Sequence, residues 1–394
     1  MKLDTTSYRL TDKGRAGTIT LVIGIVGLLA SGAGWFVDSA RFHHAYLTAF
    51  VFWLSLALGG LFFTMLHILT ASRWSVVLRR ISEHLAMQLP WMVIAFIPVA
   101  LGMHDLYHWS HEDVVATDHL LQGKAGYLNT SFFLVRAVAY FVLWSLVALM
   151  LRKHSLNQDR QPDRDHIAPL RRWSAIGMLL FAATVTLASF DWLMSLQPHW
   201  YSTIYGVYFF GGLFLAGVSL LAVICWFLQR GGVLTNEITV EHYHDLGKLM
   251  FAFVIFWAYI GFSQYFLIWY GNIPEETFWF LSRWEGGWKP VSLVLLFGHF
   301  ALPFVFLIFR NVKRKIVLLG SAAIWILVMH WVDMYWLVYP SYQDQFEGIG
   351  WIELAPMVGL GGIFCWLFWR RVASQPLIPV NDPWLKESIG SQSR

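Results

Sequence analysis

Long apolar stretches set the pattern of this chain, each ended by charge or by Pro and Gly. They run over residues 17–37, 45–70, 88–103, 131–151, 174–196, 205–228, 246–270, 290–309, 316–339 and 350–369. A helix crosses the hydrocarbon core with about 20 apolar residues, so the pattern predicts ten spans joined by short connections. The third stretch is short and carries Pro90 and Pro98; it is expected to extend at one end as an amphipathic helix. The fold class that follows is all-α, a polytopic membrane protein of about ten transmembrane helices forming one integral domain over residues 1–394.

Composition agrees. Of 394 residues 57% are hydrophobic and 13% charged, against roughly 45–50% and about 25% in soluble domains, which leaves no room for a large water-soluble domain. The 22 Trp and 15 Tyr suit interfacial belts, where amphipathic rings sit at headgroup depth. A net charge of +4 would hint at nucleic acid in a soluble protein, but here the cations alternate between loops. On one side lie 23 Lys and Arg, including Lys2, Arg15, Arg79, Arg164, Lys315, Arg371 and Arg394; on the other lie Arg41, Lys124, Arg283 and Lys289, with Arg136 inside the fourth span. Because Lys and Arg resist translocation, both termini are expected in the cytoplasm of a prokaryotic inner membrane, with no nucleic-acid partner. The polar first sixteen residues lack a cleavable leader pattern, so the chain is expected to keep its N-terminus and insert by its first span. Cys225 and Cys365 have no CxxC partner, which excludes a disulfide framework, a zinc site or an iron-sulfur cluster built by this chain alone.

Ionisable residues within the spans gather toward the outer side. His104, Asp105, His108, His111, Glu112 and Asp113 follow span three, Arg136 opens span four, Asp191 closes span five, His330 and Asp333 occupy the outer half of span nine, and Glu353 opens span ten; His67 and His299 lie deeper. Charges there cost about 2.5–3.5 kcal/mol on insertion scales and mark pathways by default. His330 and Asp333 share a helix face, which suits either a proton relay or a packing hydrogen bond. Asp191 is open to the same two readings, the second being a contact to His199 or backbone. Arg136 either holds a carboxylate such as Asp191 or Asp105 or snorkels to headgroups.

Two span ends share a pattern. Asp191 is followed at a fixed distance by Pro198, and Asp333 at the same distance by Pro340. Parallel repeats four spans apart predict two related four-helix bundles, residues 45–196 and 205–339, with a site at their interface.

Three segments, SFDWLMSLQPHWYSTIYG (189–206), FSQYFLIWYGNIPEETFWF (262–280) and GHFALPFVFLIFR (298–310), together with the span count resemble the NrfD-like, or polysulfide-reductase membrane-subunit, family. More narrowly they resemble its alternative complex III branch, quinol:cytochrome c oxidoreductases, and the length is nearer that branch's shorter F subunit than its longer C subunit. The resemblance implies an integral subunit with no cofactor bound by this chain alone. Its implied partners are an outer-side iron-sulfur subunit, multihaem cytochromes and a larger NrfD-like subunit, with menaquinol or another quinol in the complex. The family's quinol site lies near the outer surface among His and Asp of the first bundle, which points to His104 and Asp105 here, with Arg136 beside them. Proton conduction by analogy points to Asp191, His299, His330, Asp333, Glu353 and His67. A stand-alone proton-coupled transporter is the competing class.

Other features read more plainly. His104, His108 and His111 with Glu112 have a spacing a metal could use, but a hydrated helix touching a partner fits as well, and no metal is assigned. Haem needs two axial His at one depth, and His67, His299 and His330 do not repeat such a pair. Gly24, Gly27, Gly32 and Gly34 in span one, with Gly211, Gly212 and Gly217 in span six, read as close helix contacts. The aromatic run from Trp257 to Trp269 reads as lipid-facing packing, and Glu275 and Glu276 as contacts to a partner.

Overall fold

The computed structural model describes all residues except 1, 5–7, 162, 343–345 and 391–394, with backbone alone for 2, 3 and 12; Arg394, counted among the cytoplasmic cations, lies outside the described residues. Among the described residues ten helices are long and apolar enough to span a bilayer: α1 Ala16–Val37, α2 Ser39–Leu69, α3 Val76–Leu101, α4 Thr130–Arg160, α5 Ile167–Trp192, α6 Tyr205–Arg230, α7 Val240–Gly271, α8 Trp288–Leu307, α9 Ile316–Val338 and α10 Trp351–Val372. The protein is an all-α polytopic membrane protein. Several helices run beyond their apolar stretches, α2 and α7 at the start and α4 at the end, because polar residues continue the helix past the hydrocarbon once its hydrogen bonds are propagating. The third span does extend as an amphipathic segment, Val76–Ala86, and breaks into Leu89–Ala95 and Ile97–Leu101 where Pro90 and Pro98 enter.

Packing follows chain order in two rings. Helices α2 to α5 close one ring and α6 to α9 the other, and the rings meet where α2 packs on α6 and α9. Glycine sets that approach: a Cβ at Gly59 would stand 2.8 Å from the Gly217 Cα, so the α2 and α6 backbones touch. On the flank, a Cβ on Gly27 of α1 would come within 2.5 Å of the Gly359 nitrogen of α10, and one on Gly24 within 2.7 Å of the Ile363 nitrogen, whereas Gly32, expected at a helix contact, faces open space. Small residues let helices approach this closely in lipid, where no hydrophobic drive holds them together.

Both chain ends lie at one end of the bundle. The hairpin Lys2–Asp4 (β1) and Arg9–Asp12 (β2) leads into α1, and the Leu377 amide donates to the Tyr8 carbonyl at 2.9 Å. The segment after α10 straps this terminal end through Asp382 on Arg79 (2.7 Å) and Asn381 on the Asp159 carbonyl (2.8 Å). Beneath it Arg80 pairs with Asp159 at 2.8 Å and with Glu83 at 3.3 Å. A burial this ionic holds only because the partners come together. The far end carries the longer connections, with short helices at Met103–Leu106, Glu112–Thr117, His119–Lys124 and Pro274–Leu281.

The charge split predicts which end faces out. In a Cys225→Ala, Cys365→Ala background, Glu112→Cys should react with an impermeant thiol reagent on intact cells and Arg164→Cys should not; the opposite labelling would invert the orientation.

Candidate functional site

The repeated acids lie in different surroundings. In the first ring, Asp191 of α5 takes a forked pair of bonds from Arg136 of α4, Nε to Oδ2 at 2.8 Å and an NH2 to Oδ1 at 3.0 Å, and Tyr140 donates to Oδ2 at 2.7 Å. Arg136 also donates to the Tyr127 carbonyl and lies over the Tyr127 ring, 3.8 Å from its centroid. Its reach is therefore to Asp191, not to headgroups or Asp105. His199 pairs with Asp118 at 2.6 Å, so the alternative of an Asp191–His199 contact is not formed. The Asp191 carboxylate is fully engaged, its charge matched by a fork that fits it.

Asp333 of α9 has no such partner. It is wholly buried, and its bonds come from neutral groups: the Tyr208 hydroxyl of α6 to Oδ1 at 2.5 Å and the Trp257 indole of α7 to Oδ2 at 3.2 Å. No Lys or Arg among the described residues reaches it. One turn back, the His330 Nε2 meets the Ser55 hydroxyl of α2 at 2.8 Å, while its Nδ1 has no hydrogen-bond partner. The predicted direct His330–Asp333 link is absent: each ring or carboxylate bonds to a different helix. Both nevertheless face Gly212 of α6, where a Cβ would stand 3.4 Å from His330 Nδ1 and 3.6 Å from Asp333 Oδ2. Any side chain at 212 would fill the gap between them.

His299 lies on the π-helical turn Leu295–Ala301 of α8, just before Pro303, which offers no N–H to the residue 299 carbonyl. Such turns shift one residue's facing and recur at functional sites. Here the buried imidazole packs on Trp257 with ring centroids 4.2 Å apart. The Met329 backbone lies near it, yet neither ring nitrogen has a hydrogen bond of ordinary geometry. Trp257 thus touches Asp333 by its N–H and His299 by its ring. His330, Asp333 and His299 form one buried cluster along the seam of α2, α6, α7, α8 and α9.

The other expected residues stand apart from it. Glu353 opens α10 and is locked by Arg41 (Nε to Oε1, 2.6 Å), the Tyr339 hydroxyl (2.9 Å) and the Gly350 amide (2.6 Å). His67, near the terminal end, bonds through Nδ1 to the Phe63 carbonyl at 2.9 Å and lies tilted against the Phe63 ring. His104, Asp105 and Arg136 share no hydrogen bond or ion pair. Asp105 instead accepts from Ser39 (2.5 Å) and His43 (2.6 Å); burial alone would raise its carboxyl, but those two bonds hold it below its ordinary value. His104 bonds Ser110 at 3.2 Å, and the chain breaks helix between Leu106 and His108, so the histidine spacing never becomes one helix face. Among the described residues no three His, Cys, Asp or Glu form a metal-holding group. Glu275 is exposed at the start of Pro274–Leu281, and the Glu276 backbone carbonyl accepts from the Trp200 indole N–H at 3.1 Å.

Ser55 and Tyr208 escaped the sequence reading because lone polar groups in apolar stretches look like packing residues; Trp257, expected to face lipid, is instead buried on Asp333 and His299, and Gly212 carried a signal, read only as a helix contact. The same holds for His43, whose ring covers Gly102. A scan of family models finds no match to this chain, and a search of curated proteins finds none.

The contrast between the acids is measurable. Removing one member of a buried ion pair typically costs ~3–5 kcal/mol because the other charge is stranded. Arg136→Ala should therefore lower thermal stability strongly, and adding Asp191→Asn should recover much of the loss. Additive losses in that double-mutant cycle would mean the pair carries no coupling.

Proposed function

We propose that this chain is an integral membrane subunit of a respiratory quinol:electron-acceptor oxidoreductase of the alternative complex III type. In that reading it sits in a prokaryotic inner membrane with both termini cytoplasmic, anchors the complex and provides a proton path through the seam. Its neighbours are an outer-side iron-sulfur subunit, multihaem cytochromes and a larger related membrane subunit. Support comes from the resemblance of residues 189–206, 262–280 and 298–310, and from the chemistry of the seam.

The observation that carries the proton role is Asp333 held by Tyr208 and Trp257 with no cation beside it. Asp191 must break an ion pair to exchange a proton, and Glu353 likewise; Asp333 has no pair to break. From it the next titratable groups are His330, across the Gly212 gap, and His299, against Trp257. The unpartnered His330 Nδ1 and His299 nitrogens suit bridging water, which buried polar groups recruit when they lack protein partners. Asp191, Glu353 and His67, engaged elsewhere, become structural in this reading. A stand-alone proton-coupled transporter draws on the same acid and on the meeting of two rings at a seam; it predicts solute uptake by the isolated chain, whereas the subunit reading predicts co-purification with cytochromes.

Asp333→Asn keeps the size and can still accept from the Trp257 indole while its NH2 donates to the Tyr208 oxygen, but it cannot titrate. It should leave assembly and cytochrome content intact and lower the protons translocated per quinol oxidised in reconstituted vesicles. An unchanged ratio at normal turnover would remove Asp333 from any path.

A further inference from the structure

A cleft of ≈ 880 Å³ opens between α7 and α8. Its walls are rings and aliphatic side chains, the rings including Trp257, Tyr259, Phe262, Tyr265, Phe300 and Trp336. Tyr259 and Phe262 are 64% and 62% exposed, on helices whose surroundings are lipid, so the cleft opens sideways into the bilayer. Its deep wall includes Tyr208, whose hydroxyl is donated to Asp333. The far-end wall holds two polar side chains that are themselves almost fully buried, Gln264 and Arg283.

These two lack the partners their donors call for. Gln264 accepts from the Ser202 hydroxyl at 3.0 Å through its carbonyl oxygen, which leaves its NH2 without a partner among the described residues. Arg283 meets no carboxylate among the described residues: its NH groups go to the Gln197 oxygen (3.2 Å) and to the Trp279 and Leu337 carbonyls (3.0 and 3.1 Å), its face lies 3.6 Å from the Trp279 centroid, and its Nε is unpartnered there. Burial lowers the guanidinium to about 9. The Arg283 Nε is sealed from the cleft, so the donor left for a ligand is the Gln264 NH2; a donor kept from water without an acceptor is costly, and this wall favours a ligand bringing an oxygen atom. A phosphate headgroup fits poorly, since the guanidinium NH groups that would fork onto it are already engaged by carbonyls. Neutral carbonyl or hydroxyl oxygens ask for single donors only. Facing rings take a flat ring in stacked or edge-on contact, and the sideways mouth passes an apolar tail to lipid.

We propose that the α7–α8 cleft binds a quinone or quinol with a long apolar tail, its ring between the aromatic walls, an oxygen toward the Gln264 NH2, and its tail in the bilayer. This is a different place from the first-ring His104 and Asp105 region. The choice of a quinone among ring-bearing lipids rests on the function proposed above; the cleft and its donors do not.

The test uses the full chain in lipid nanodiscs with an azido-naphthoquinone as photoprobe and peptide mapping as readout. Label should fall within residues 255–269 and 288–300 and be displaced by excess unlabelled naphthoquinone. Ala258→Trp fills the cleft from α7 and should cut labelling about tenfold or more, the factor expected for losing one well-packed ring contact. Leu296→Trp, half exposed on the α8 side, should act in the same direction and guards against a folding defect in the first variant. Label confined to residues 38–45 or 102–112, label indifferent to both variants, or label displaced by phosphatidylglycerol but not by naphthoquinone would each overturn the proposal. Labelling lost in Ala258→Trp together with an unchanged proton ratio in Asp333→Asn would keep the cleft site and reject the proton path. Label absent from the cleft with a lowered ratio in Asp333→Asn would do the reverse.

Discussion

A charge inside the bilayer has no water to fall back on, so every ionisable group placed there has to be answered by the protein. This chain answers in two ways. Asp191 and Glu353 are met by guanidinium forks from Arg136 and Arg41, and the terminal end gathers Arg79, Arg80, Glu83, Asp159 and Asp382 into one buried lattice. Asp333, His330 and His299 receive only neutral donors, ring faces or nothing. The first arrangement fixes helices; the second leaves groups able to change protonation without dismantling an ion pair.

Helix α2 makes the difference possible. It packs in the first ring and also against α6, α9 and α10, so its side chains are buried along nearly the whole length. Gly59 against Gly217 brings its backbone onto α6, and that approach carries Ser55 to His330. A side chain at Gly59 would push the two backbones apart and strain the Ser55 bond, the one hydrogen bond of the His330 ring among the described residues.

Span number and the all-α class were legible because a bilayer imposes one length and one polarity on every crossing, and the third span's amphipathic extension was legible because Pro90 and Pro98 break the pattern. Helix ends were less so: nothing in the polar residues 39–44 or 240–245 says that the helix begins before the apolar stretch. In the site, the sequence singled out Asp191 and Asp333 equally, since both stand before a Pro at one distance. Only the fold shows that Arg136 reaches one of them and no cation reaches the other. Pairing across helices far apart in sequence, Tyr208 to Asp333 or Arg41 to Glu353, leaves no periodic trace in either helix.

The most direct measurement is infrared difference spectroscopy of the full chain in lipid across a pH step, with hydrogen–deuterium exchange. A carboxylic C=O band that shifts in deuterated water and is lost in Asp333→Asn, but kept in Asp191→Asn, is the expected result. A spectrum with no such band, or one unchanged by Asp333→Asn, would contradict proton exchange at Asp333.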